Sequence, residues 1–193
     1  MQQKVALSPN AIQSKHLSEP DSPLPDAAIE AVHRIIMDQA RVSEAWIDDL
    51  GGRGVSDAAY VELVGVVVAV FSIDEFNRGL GAEPEPLPTP DAGDPDHYRP
   101  AQAIKDVGFV AMVPPDGATG NEADLWQNGL TANVLRALTL VPDALRNWRD
   151  LASAQYLSFA ARHDLGQRAD RSLNRMQMEL IAARVSAINQ CFY

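Results

Sequence analysis

Apolar residues recur along much of this chain at three- and four-residue spacing, the period of helices that bury one face. From Asp26, the residues Ile29, Val32, His33, Ile36 and Met37 share such a face, with Asp26 at the cap position, which predicts a helix over 26–41. A short helical piece over 43–50 follows and is closed by Gly51 and Gly52. Ser56 or Asp57 then caps a long helix over 57–80 carrying Tyr60, Leu63, Val64, Val67, Val68, Phe71, Ile73 and Phe76, with Gly81 at its end. The consecutive valines at 66–68 also suit a buried strand, but the length of the run and its caps favour a helix. Because this helix is apolar nearly all round, a homo-oligomer is expected.

The period returns after a long interruption. Leu130, Val134, Leu135 and Leu138 predict a helix over 128–140. Pro142 suits the first turn of the next, over 143–162, which carries Leu145, Trp148, Leu151, Ala152, Gln155, Tyr156 and Phe159. A last helix over 171–188 starts near Asp170 or Ser172 and includes Leu173, Met176, Leu180, Ile181, Val185 and Ile188. Residues 1–25, with Pro9, Pro20, Pro23 and Pro25 among polar residues, read as a mobile arm. Residues 82–126 form a proline-rich linker and an irregular segment, in which 107–113 reads as a short strand or extended coil closed by Pro114, Pro115 and Gly117. The fold class is therefore all-α. It divides into the arm, a helical half over 26–81, the linker segment and a helical half over 127–193.

Charge narrows the partners. A formal net charge of -10 opposes attraction to nucleic acid or to an anionic membrane surface. The longest apolar run, over 63–71, is far shorter than the roughly 20 residues that cross a bilayer. The N-terminal residues lack the apolar core of a secretory signal, so a cytoplasmic location is expected. The single cysteine, Cys191, leaves no pair for an intrachain disulfide and no thiolate cluster for a metal.

The segment Met178-Glu179-Leu180-Ile181-Ala182-Ala183-Arg184-Val185-Ser186-Ala187-Ile188-Asn189-Gln190-Cys191-Phe192-Tyr193 carries the most specific pattern. It resembles the stretch leading into the active site of the alkylhydroperoxidase-like, carboxymuconolactone-decarboxylase family of all-helical redox proteins. That stretch reads Glu-Leu-Val-x-x-x-Val-Ser-x-x-Asn-x-Cys-x-x-Cys and is followed by a His. The twelve-residue interval from Glu179 to Cys191 is the family's. Two further segments resemble family helices: Asn133 to Leu138 with Pro142, Trp148 and Leu151, and Gly54 to Val64 with Asn77 to Gly81. Their order along the chain is the reverse of a single family domain, as in a slice of a tandem protein or a permuted copy.

The resemblance implies an alkylhydroperoxidase-like helical bundle that reduces a small hydroperoxide at the expense of a thiol reductant. Cys191 and Glu179 are the implied site residues, the first as a redox thiol and the second as a proton relay. It also implies a second Cys or selenocysteine after Tyr193, which by the family's roles attacks the peroxide, and a His beyond it. A straight helix would hold Glu179 and Cys191 roughly 18 Å apart along its axis, so a break near Asn189 is expected. Two rivals stand beside this reading: the decarboxylase branch of the same family, which Cys191 disfavours, and a non-catalytic helical subunit of an oligomer. Taken alone, Glu179 also reads as an ion-pair partner of Arg175 or Arg184, and Cys191 as a small hydrophobe.

The remaining polar and aromatic candidates have ordinary structural readings. His33 belongs to an apolar face and reads as an interior histidine, and His163 with Asp164 follows a helix end. His97, with Asp94 and Asp96, lacks further ligands at useful spacing for a metal. Trp126, Trp148 and Tyr156 read as core residues. No cofactor or metal is expected, since the chain has neither a Gly-rich phosphate loop nor a nucleophile elbow.

Overall fold

The structure is a computed structural model that describes residues 22–90, 92–126, 129, 131–156 and 171–188. Helices dominate: α1 (Asp26–Met37), α2 (Glu44–Gly52), α3 (Asp57–Leu80), α4 (Asn133–Arg136), α5 (Pro142–Gln155) and α6 (Arg175–Ile188). Among the described residues there is no strand, and the sole β feature is an isolated antiparallel bridge between Ile104 and Met112. The fold is all-α. The chain forms two compact units, Met1–Trp148 and Arg149–Tyr193. No single described helix is long and apolar enough to cross a membrane.

In the first unit the caps fix where α2 and α3 begin. The Ser43 hydroxyl accepts from the Trp46 amide at 3.3 Å, and the Ser56 hydroxyl from the Ala59 amide at 3.2 Å. Gly81 ends α3 in the left-handed region at φ 72, where an L side chain is strained, and its amide and that of Ala82 return to carbonyls of the last turn. Two expected boundaries move. Gly51 and Gly52 remain inside α2, and the chain turns after them at Gly54, φ 92. Asp26 is the first helical residue, and Pro25 precedes it as a cap without a side-chain bond.

The core of this unit gathers Ala31 from α1, Ile47 and Leu50 from α2, Val61 from α3, and Val113, Leu125 and Leu145. Each large aliphatic side chain buried this fully contributes about 1.5–3 kcal/mol relative to exposure. Trp126 and Trp148 pack against its edge, and His33 is interior. A polar clasp closes the α1–α2 corner. The Glu30 carboxylate accepts from Trp46 Nε1 at 2.9 Å and from Arg53 Nη1 at 2.8 Å, while Trp46 meets the Tyr60 ring edge-on. Gly65 lets α3 approach α5, since a Cβ there would lie 2.8 Å from the Ala144 Cβ.

Two helices of this unit are shorter than their apolar period predicts. The 26–41 helix stops at Met37, because Asp38 leaves helical geometry at φ -147, ψ 42, and Gln39–Arg41 continues as a 3-10 turn. The period over 128–140 becomes a single α turn, Asn133–Arg136, followed by turn geometry through 140. Long-range bonds explain the second case. Thr139 Oγ1 accepts from the Val113 amide at 2.8 Å and donates to the Arg136 carbonyl at 2.7 Å, and Arg136 Nε donates to the Val113 carbonyl at 3.2 Å. Both backbone groups of fully buried Val113 are thus satisfied by side chains of residues 136 and 139, the service a neighbouring strand would give. The expected 143–162 helix is seen as Pro142–Gln155, and residues 157–162 lie outside the described residues.

Candidate functional site

In the second unit, α6 begins with a reciprocal cap. The Gln177 amide donates to Asn174 Oδ1 at 3.0 Å, and the Asn174 amide donates to Gln177 Oε1 at 2.9 Å. The Asn-x-x-Gln pattern is legible in the sequence, and it moves the helix start from Asp170 or Ser172 to Arg175. Glu179 stands one turn into this helix. Its Oε1 accepts from Arg175 Nε at 3.1 Å, the i, i+4 arrangement that helical spacing allows. Arg184, the other cation considered for it, makes no such pair.

Tyr156, in the turn directly after α5, completes this constellation. Burial raises the pKa of its phenol, the Glu179 carboxylate beside it raises it further, and Arg175 acts in the opposite sense. Tyr156 is 38% exposed, so it is a surface residue of this unit and not a core one. Its carbonyl accepts from Arg171 Nη1, which also reaches Met178 Sδ at 3.7 Å. Arg175 is largely shielded, and its Nη1 is buried with no partner among the described residues. The structure therefore assembles a carboxylate, a guanidinium and a phenol from Tyr156, Arg175 and Glu179. Asn189, Cys191 and the expected break near Asn189 lie outside the described residues, as do His163 and Asp164.

Elsewhere on α6 several apolar side chains are open to solvent: Met176, Leu180, Ile181, Val185 and Ile188 are all at least half exposed. The same holds on α3, where only Val61 is fully buried and Val66, Val68, Val70, Phe71, Phe76 and Leu80 are exposed. An apolar groove of about 540 Å³ runs between α1 and α3, lined by Ile35, Ile36, Val64, Val67, Val68 and Phe71 among others.

The first unit also holds a polar cleft of about 500 Å³, lined by Glu62, Asp96, His97, Tyr98, Asp143 and Arg146 with neighbouring residues. Residues 95–99, in the segment 82–126 that the sequence reads as linker and irregular chain, build one wall of this cleft. The Tyr98 hydroxyl donates to buried Glu122 at 2.7 Å, which raises the phenol's pKa, and Gln102 donates to the other carboxylate oxygen at 2.6 Å. Arg146 is held by Asp124, Asp143 and the Asn121 carbonyl. His97 sits at φ 52, a left-handed conformation that a non-glycine residue adopts only under local constraint. No group of three or more His, Cys, Asp or Glu side chains able to hold a metal occurs among the described residues. No family model, curated protein or solved structure matches the chain.

Proposed function

We propose that this chain is an alkylhydroperoxidase-like protein that reduces a small hydroperoxide through Cys191, with a thiol as the reductant. One observation carries the reading: Glu179 stands on a capped helix twelve residues before Cys191, flanked by Arg175 and Tyr156. In the family's pattern the later Cys or selenocysteine attacks the peroxide; in the chemistry envisaged here Cys191, the one thiol of the sequence, takes that role, its thiolate sulfur attacking a peroxide oxygen as the O–O bond breaks. The sulfur becomes a sulfenic acid, and the departing alkoxide takes up a proton and leaves as the alcohol. A thiol of the reductant then attacks the sulfenic sulfur, releasing water and forming a mixed disulfide. A second reductant thiol restores Cys191. Glu179 serves as the group through which the proton reaches the alkoxide.

The test compares two reactions of the same thiol. Glu179→Gln should slow oxidation of Cys191 by tert-butyl hydroperoxide while leaving its alkylation by iodoacetamide at the wild-type rate, because alkylation needs no proton on its leaving group. Unchanged oxidation in the Gln variant would remove Glu179 from the chemistry. Oxidation no faster than that of free cysteine in the wild type would remove the peroxidase reading itself.

A further inference from the structure

We propose that the polar cleft of the first unit is a binding site for an aliphatic polyamine. The cleft offers about 500 Å³ of space, within the roughly 300–1,000 Å³ typical of small-molecule sites. Its 95–99 wall is held in place by bonds of its own. Asp96 Oδ1 accepts from the Tyr98 amide at 2.9 Å, and the Tyr98 hydroxyl donates to Glu122, which is 2% exposed. A ligand therefore meets a wall that is already ordered, which lowers the cost of binding.

Pairing within the protein decides which charges are left for a ligand. Arg146 spends its guanidinium on Asp124, Asp143 and the Asn121 carbonyl, so two carboxylates against one cation leave that cluster one negative charge in excess. The N-terminus of α5 opens on the same cleft but offers no seat for an anion. Pro142 has no N–H, the Ala144 amide donates to the Val141 carbonyl, and Asp143 fills the first turn. Glu62 is exposed and makes no hydrogen bond or ion pair among the described residues, and Asp96 is bonded through Oδ1 alone. Against these stands Arg99, whose Nη1 donates to the Tyr98 carbonyl. Glu62, Asp96 and the excess beside Arg146 thus set three negative charges against one positive, a net of -2 with His97 neutral.

The layout of these charges selects the kind of cation. Glu62, Asp96 and Asp143 come from α3, the 95–99 wall and the start of α5, and no three such groups gather to hold a metal ion among the described residues. Pro95, Val141 and Pro142 line the same space with apolar surface. A polyamine carries its ammonium groups apart, joined by methylenes, and so matches separated carboxylates and apolar lining where a point charge does not. The inference concerns the first unit and holds whether or not Cys191 reduces peroxide.

The experiment is calorimetric titration of the full chain with spermidine at about 150 mM salt, where attraction to a merely acidic surface is largely screened. One site per chain is expected. Glu62→Gln and Asp96→Asn should each weaken binding by about fivefold, the upper end for an exposed ion pair, and the double variant by about twentyfold. Both replacements keep the shape of an exposed side chain, and Asp96→Asn keeps the Oδ1 acceptor for the Tyr98 amide. Circular dichroism checks that they spare the fold, and Glu62→Gln carries the test alone if Asp96→Asn does not. Glu83→Gln, an exposed acid just past the far end of α3, should bind as the wild type does. An equal loss in Glu83→Gln would mean diffuse attraction to an acidic chain and would overturn the proposal. So would wild-type affinity in Glu62→Gln, displacement of spermidine by an equal concentration of magnesium, or no binding at millimolar spermidine.

Discussion

Replacing Thr139 by Val removes one hydroxyl and adds one methyl, keeping the shape of a side chain that is entirely buried. The hydroxyl accepts from the Val113 amide at 2.8 Å and donates to the Arg136 carbonyl at 2.7 Å. In the variant the Val113 amide is left buried without an acceptor, at a cost of about 1–3 kcal/mol. The Arg136 carbonyl loses a bond worth about 1 kcal/mol. The expected loss is therefore about 2–4 kcal/mol, or roughly 4–16 °C in melting temperature for a chain of this size. Thr139→Ser keeps both bonds and sacrifices a methyl, so it should cost only about 1 kcal/mol. Urea unfolding followed by tryptophan fluorescence measures both. If Thr139→Val lost less than Thr139→Ser, the claim that this hydroxyl substitutes for a missing strand would be refuted.

Glu30 makes the first unit sensitive to acid. Burial raises the pKa of its carboxyl, but hydrogen bonds from Arg53 and Trp46 and the charges of Arg53 and Arg34 outweigh that and hold it below the ordinary 4.5. A depressed carboxyl stabilises the fold above its unfolded value and loses that contribution as pH falls through the folded value. Glu30→Gln should thus melt below the wild type at neutral pH, with the gap closing as pH drops below 4.5; a pH-independent gap would contradict the assignment. Gly65→Ala should destabilise by about 1 kcal/mol, the clash with Ala144 outweighing the helix-propensity gain. Adding Ala144→Gly should recover part of that loss in thermal melts, and simple additivity of the two losses would argue against contact.

Local signals carried most of the fold. Ser56 and Gly81 bracket α3 within the chain's own text, and Pro142 marks the start of α5. What local signals could not carry was the fate of the 128–140 period. There Arg136 and Thr139 turn inward to the Val113 backbone, more than twenty residues away, and the helix gives way to that pairing. The cleft wall around Tyr98 was hidden for the same reason, since its anchor, Glu122, lies far along the chain. At the candidate site, the i, i+4 spacing announced the Arg175–Glu179 pair. Tyr156 was not legible there, because its role depends on how the end of α5 meets α6 within the second unit.

The central claim is that Cys191 is a redox thiol toward hydroperoxides. The most direct measurement is the amount of tert-butyl hydroperoxide consumed per chain without added thiol, with the modified residue located by mass spectrometry after dimedone trapping. The account predicts consumption that stops near one peroxide per chain where dimedone traps Cys191 as its sulfenic acid, or near one per two chains where Cys191 ends in an interchain disulfide, and no consumption by Cys191→Ser. Equal consumption by Cys191→Ser and wild type, or an unmodified Cys191 after exposure to excess peroxide, would contradict it.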